Sequence, residues 1–327
     1  MSVDPPDAVE RTVQLAGNST FVVSLPKEWA LEQGIDRGSA IQLYPNDDRL
    51  VLSAKSIEPS ARSTRIDAAS TDPTQVPSRV RAAYAGGCDR ITVVDATGID
   101  RALRRDLSDL IGGLIGLEID HESETELVAV DLLDAADISL AQTVSQLCHR
   151  TRSTYELAIE AVVPGDDDRA ARALDRIEAP RRQVAFVRRG FRRGLADVTE
   201  LDRLGADRTA AFAHYRTARS LSRLVSEVER IATAAARQSS SPKPPIRTAF
   251  ESADEAVRSV LDPALAGRPD PVIDRYARAT TEVTALSEAA RASDAVCYEL
   301  VADSLRRIID AARSASEAIA EADGGCC

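Results

Sequence analysis

TVQLAGNSTFVVSLPKEWALEQGIDRGSAIQLYPNDDRLVLS, running from Thr12 to Ser53, decides how the chain begins to fold. Val13 and Leu15 alternate with Thr12 and Gln14, and Phe21, Val22 and Val23 form an apolar run after Gly17-Asn18-Ser19-Thr20. Period-two alternation, turn chemistry and a second apolar run predict a strand, a turn and a strand. Pro26 stands where its fixed φ suits the first turn of a short helix, and Gly34 stands where that helix would stop. Ile41 and Leu43 begin a third strand, Pro45-Asn46-Asp47-Asp48 turns the chain, and Leu50-Val51-Leu52 completes a fourth. A segment of about 45 residues built this way buries little surface. Pairing with a second copy would cover its open edges.

Those residues carry a family resemblance. Ser24-Leu25-Pro26-Lys27-Glu28-Trp29-Ala30, then Gly34-Ile35, Gly38-Ser39, Ile41 and Leu43, fall in register with the signature of the AbrB/MazE/SpoVT family. The resemblance implies that residues 9–55 are half of a swapped-hairpin β-barrel, completed by a homodimer that binds operator DNA. Arg11, Asn18, Ser19, Lys27 and Arg37 are then the candidate DNA contacts, since Arg and Asn read base edges while Ser and Lys hold phosphates. One feature departs from a basic DNA-binding face. Residues 1–55 hold Arg11, Lys27, Arg37, Arg49 and Lys55 against eight Asp and Glu.

The remaining 270 or so residues extend far beyond one such segment, and 327 residues in all suggest two or three domains. Apolar residues make up 44% of the chain, ample for cores, and aromatics only 4%, so helices are expected to pack through Ala, Leu and Val. No stretch approaches the length of a membrane span, and the polar, acidic start is unlike a signal peptide, which leads to the expectation of a cytoplasmic protein. The net charge is −11, and of 41 basic residues only Lys27, Lys55 and Lys243 are lysines. An acidic, lysine-poor surface fits a halophile, where salt screens self-repulsion; a GC-rich genome favouring arginine codons is the other explanation. Cys88, Cys148, Cys297, Cys326 and Cys327 form no C-x-x-C pair. Cys148 reads as a helical core residue beside a surface His149. Gly324-Gly325-Cys326-Cys327 resembles the prenylated tail of small GTPases, but nothing else in the chain does.

Residues 62–134 change pattern. Strands are expected at 62–68, 90–95, 117–121 and 126–132, and helices at 77–85 and 100–111, each helix closed by a glycine pair. That order predicts a small α/β sandwich of the form βαβαββ. Gly112, Gly113 and Gly116 do not lead from a strand into a helix, so they read as a helix end and not as a phosphate loop.

From Ser139 the chain reads as helix: 139–163, a second within 168–204 broken or kinked near Pro180, and 208–238. After the linker Ser239-Ser240-Ser241-Pro242-Lys243-Pro244-Pro245 come 247–261, closed by Pro263, then 271–293 and 295–322. Two three-helix bundles, 139–238 and 246–323, are therefore expected. Ser220-Leu221-Ser222-Arg223-Leu224 echoes Ser304-Leu305-Arg306-Arg307-Ile308, which points to duplication. With Phe186-Val187-Arg188-Arg189-Gly190-Phe191-Arg192-Arg193, these phrases resemble the helices of the PhoU family of phosphate-uptake regulators. An AbrB-like segment, an α/β insert and a double bundle resemble the archaeal PhoU-type regulators. The fold class is thus multi-domain α+β.

PhoU proteins often carry Glu-x-x-x-Asp on the third helix of each half, carboxylates at i and i+4 that can converge on one cation cluster. Here Ser222 and Ser226 hold the first pair of positions and Arg306 and Asp310 the second, and Glu178-Ala179-Pro180-Arg181 stands where further carboxylates belong. No metal and no cofactor are expected. Arg181, Arg182, Arg188, Arg189, Arg192 and Arg193 fall within roughly 140° of one helix, away from Val184, Val187, Phe191 and Leu195. They form a candidate anion or partner face; neutralisation by carboxylates of neighbouring helices is the competing reading. His121, His149 and His214 are dispersed, and no nucleophile–base pair is visible, so no enzyme activity is expected. Two functions follow from the resemblance. One is a DNA-binding regulator of phosphate-transport genes. The other is an adaptor that docks on a phosphate ABC transporter or sensor without touching DNA, which the acidic N-terminal segment favours.

Overall fold

The computed structural model describes residues 9–17, 20–46, 49–53, 62–133, 138–163, 166–196, 200–201, 204–238 and 242–322. The chain divides into two units, Met1–Ser60 and Ala61–Cys327. The protein is mixed α+β and mostly helical, with small sheets and a C-terminal region of several helices.

In the first unit, β1 (Gln14–Ala16) pairs antiparallel with β2 (Thr20–Val22), placing Leu15 opposite Phe21. Helix α1 (Lys27–Glu32) begins directly after Pro26. Gly34 ends it with φ +68°, a left-handed conformation that glycine adopts without strain, and Ile35 N–H closes onto Ala30 O at 2.8 Å. β3 (Gln42–Asn46) pairs antiparallel with β4 (Arg49–Ser53). Pro45 and Asn46 were expected in the turn but extend β3, opposite Leu50 and Arg49. In a two-stranded sheet every strand is an edge, where a missing N–H is tolerated. The two hairpins are separate sheets.

The second unit opens with the expected βαβαββ order. β5 (Ser63–Asp67), α2 (Val76–Ala85), β6 (Arg90–Val94), α3 (Arg101–Gly113), β7 (Leu117–Glu122) and β8 (Glu126–Asp131) follow in sequence. The sheet order is β5-β6-β8-β7, with β5 and β6 parallel and the other pairs antiparallel. Asp100 caps α3, accepting from Ala102 N–H at 2.8 Å. Val76, Val80 and Tyr84 of α2 and Leu103, Leu107 and Ile111 of α3 pack on Ile66, Ile91, Val93, Leu127 and Ala129 of the sheet.

The helical region comprises α4 (Leu140–Val162), α5 (Asp167–Arg176), α6 (Glu178–Ala196), α7 (Arg208–Ala235), α8 (Pro244–Leu265), α9 (Pro269–Ala292) and α10 (Val296–Ala322). The break near Pro180 falls at Ile177, so Pro180 sits in the first turn of α6, where its missing N–H removes no helical bond. Pro263 lies inside α8 and does not close it: the helix runs on to Leu265. Pro244 and Pro245 start α8 earlier than the expected Arg247, since proline is favoured at the first helical positions. The helices of both halves share one continuous apolar core. The echoed phrases lie on α7 and α10, which pack along each other, with Leu221, Leu224, Leu305 and Ile308 fully buried. No described helix is long and apolar enough to cross a membrane.

Candidate functional site

In the N-terminal unit, Arg11, Lys27 and Arg37 are exposed, as are the carboxylates Glu10, Glu28, Glu32 and Asp36. Arg11 donates to the carbonyl of Glu10 at 2.9 Å. Asn18 and Ser19, the other two candidate DNA contacts, lie outside the described residues, as do Cys326 and Cys327. Several large apolar side chains of the segment are left in the open within a single chain. Phe21 is 77% exposed and Leu31 60%, and Val13, Leu15, Leu43 and Leu50 are exposed as well.

The arginines of α6 do not form one exposed face. Arg189 is buried, Arg181 and Arg193 are neutralised by carboxylates, and only Arg188 and Arg192 are exposed. The reason is the position of the helix. One flank of α6 joins the helical core through Val184, Phe186 and Val187. The other enters the α/β core through Ala185 and lays Arg182 over Gly113. A helix covered on both sides leaves only its edge to solvent. Leu195, expected in the buried arc, is 67% exposed.

Arg189 donates to the carbonyls of Tyr84 at 3.1 Å and Cys88 at 2.7 Å, and to Asp131 at 2.6 Å, with its guanidinium over the Tyr84 ring. Arg193 donates to Asp89 at 2.5 Å, Asp131 at 2.9 Å and Glu200 at 2.6 Å. Burial alone would lower the Arg193 pKa, but hydrogen bonding and attraction from Glu200, with Asp89 and Asp131, reverse that and raise it. Gly87 makes room for this arrangement. Its φ is +93°, and a Cβ there would press on the side chains of Arg62 and Arg193. These contacts join the α/β module to α6.

At the solvent edge of α6 a groove of about 460 Å³ lies against α2 and α7, lined by Arg81, Arg181, Arg188, Ser78 and Ser222. Glu178 holds Arg81 at 3.4 Å and Arg181 at 2.9 Å, and Glu229 holds Arg181 at 2.5 Å. Arg188 makes no ion pair among the described residues. No protein-family model and no curated protein matches the chain.

The positions compared with the PhoU carboxylates make ordinary helix contacts. Ser226 donates to the carbonyl of Ser222 at 3.1 Å, Arg306 donates to Thr284 at 3.1 Å, and Asp310 accepts from the Tyr276 hydroxyl at 2.5 Å. Among the described residues no three His, Cys, Asp or Glu side chains gather as a metal site would require. His121, His149 and His214 sit on β7, α4 and α7. Cys148 is buried and His149 exposed, as expected. Asp89, Asp131 and Glu200 escaped sequence reading because each is one carboxylate among 52. Only the fold brings them to α6.

Proposed function

We propose that the protein is a cytoplasmic phosphate-uptake regulator of the PhoU type. Its N-terminal segment pairs with that of a second copy to bind operator DNA, and its helical body receives the phosphate-status signal. The observation that supports this most is the apolar surface left open on the lone segment. Phe21, Leu31, Val13, Leu15, Leu43 and Leu50 are all exposed in a single chain. Each side chain of this size gains about 1.5–3 kcal/mol on full burial. A second copy with exchanged hairpins supplies that burial, in agreement with the resemblance carried by Leu25-Pro26-Lys27, Gly34-Ile35 and Gly38-Ser39. Dimerisation also brings two sets of Arg11, Lys27 and Arg37 onto one particle. A ligand that prefers one conformation of the helical body shifts DNA affinity by its difference in binding energy between the two states.

The alternative is a docking protein for a phosphate ABC transporter or sensor. It is favoured by the exposed Glu10, Glu28, Glu32 and Asp36, which oppose a polyanion. Gel-shift titration with DNA upstream of the phosphate-transport genes, across a salt series, separates the two. Regulator function requires a shift that weakens with salt and is lost in the Lys27→Glu, Arg37→Glu variant. No shift at any salt leaves the docking protein.

A further inference from the structure

A second cavity, of about 510 Å³, opens between α4, the end of α5 and the start of α6. Ser145, Gln146, His149 and Arg150 reach it from α4, and Arg176 from the last residue of α5. The spacing on α4 explains the convergence: Ser145 and His149, and Gln146 and Arg150, are i, i+4 pairs that share a helix face. The break at Ile177 ends α5 so that Arg176 stands across from them.

The lining has one electrical character. Among the described residues no carboxylate lines the cavity. His149, Arg150 and Arg176 are exposed and form no ion pair among the described residues, whereas nearby Arg152 and Arg169 do, with Glu156 and Asp166. In a chain with 52 acidic and 41 basic residues, two arginines and a histidine facing one concavity without an acid require a reason. The polar groups are also poised to donate. Buried Gln183 donates its amide to Gln146 Oε1 at 3.2 Å, which leaves the Gln146 amide N–H groups for the cavity. Ser153 and Thr154 give their protons to the Arg150 carbonyl, at 3.1 and 2.8 Å, and hold that turn of α4. Guanidinium groups carry donors only, and a fork of that shape matches an oxyanion.

We infer that this cavity binds a phosphate-bearing dianion, with Arg150 and Arg176 as the main holders and His149, Gln146 and Ser145 as further donors. Its volume lies in the ~300–1,000 Å³ range of small-molecule sites. A phosphomonoester fits that space with room for its organic part, and inorganic phosphate presents the same headgroup. The inference deepens the signal-receiving half of the proposed function and rests on that reading for its biological meaning. Binding itself uses nothing from residues 1–60 and is measured without DNA, so its failure and that of the gel shift are separate results.

The test is isothermal titration of the full chain with glycerol 3-phosphate, inorganic phosphate, sulfate and glycerol, at constant ionic strength because exposed cations are screened by salt. The expected result is saturable one-site binding of glycerol 3-phosphate, inorganic phosphate or both, and none of glycerol. Whichever of the two binds more tightly identifies the source of the headgroup. Affinity falls at least ~tenfold in the Arg150→Gln, Arg176→Gln variant, with an unchanged far-ultraviolet spectrum. If that variant misfolds, His149→Gln in the wild-type background is expected to weaken binding in the same direction. Absence of saturable binding by either phosphate compound, equal binding of sulfate, or affinity unchanged in the folded variants overturns the assignment.

Discussion

Arg189 of α6 and Asp131 of β8 stand 58 positions apart in the sequence and form a 2.6 Å ion pair, with 3% and 9% of their side chains exposed. The pair is shared: Asp131 also accepts from Arg193, and Arg189 also holds two carbonyls at the end of α2. A charge buried this deeply is tolerated only while its partners are present. Arg189→Met leaves Asp131 short of a partner and frees the Tyr84 and Cys88 carbonyls. It is expected to destabilise the protein by about 3–5 kcal/mol. Because the pair is shielded from solvent, the loss should persist at ~1 M salt. Urea unfolding at low and high salt measures both. A loss below about 1 kcal/mol would reduce the pair to the worth of a surface contact.

Glu178 predicts an acid-side effect. Burial disfavours its carboxylate, but hydrogen bonds and attraction from Arg181 and Arg81 outweigh this and lower its pKa from the ordinary 4.5. A depressed folded-state pKa gives stability that is complete above the unfolded-state value and lost as pH falls through the folded one. The stability difference between wild type and Glu178→Gln should therefore be present at neutral pH and close as pH drops below that range. Unfolding midpoints measured from pH 7 downward check this; a difference that widens on acidification contradicts it.

Tyr155 of α4 is fully buried, and its hydroxyl donates to Asp254 of α8 at 2.8 Å. That hydrogen bond ties the first half of the helical region to the second. Asp254 also accepts from Arg258 at 2.8 Å, so it keeps a partner when the hydroxyl is removed. Tyr155→Phe should cost about 1–3 kcal/mol, less than Arg189→Met. Equilibrium denaturation of the two variants side by side decides the order.

Cys148 supplies a chemical test of the helical core. Burial pushes its thiol pKa up to about 12. The thiolate is the reactive species, so iodoacetamide at pH 8 should leave Cys148 unmodified in the folded protein and label it once urea unfolds the chain. Peptide mapping after labelling reads this out. Native-state labelling of Cys148 as fast as in urea would mean that α4 is not packed as described.

Local patterning carried most of the element order. Residues 62–131 form the expected βαβαββ because short apolar strands alternate with helices, signals contained within a few residues; Gly86-Gly87 follow α2 as expected, whereas α3 runs through Gly112 and Gly113 before it ends. Pro263 misled because one missing N–H costs a helix a single bond without forcing it to end, and α8, with Val260, Leu261 and Ala264 buried in the core, continues to Leu265. The arginine face misled for a different reason. Periodicity separates Arg189 from Val187 but assumes that one side of a helix meets water.

Taken by itself, the sequence determined the order of helices and strands through most of the chain, that Cys148 faces inward while His149 faces out, and that the N-terminal segment buries little of its apolar surface alone. Turn chemistry, proline and glycine geometry and side-chain period act over short distances, so they can be read along the chain. Tertiary structure alone decided that Arg189 is buried against Asp131 while Arg188 is open, and that Arg150 and Arg176 face one cavity. The fate of a charge depends on which remote elements pack beside it, and no local pattern encodes that.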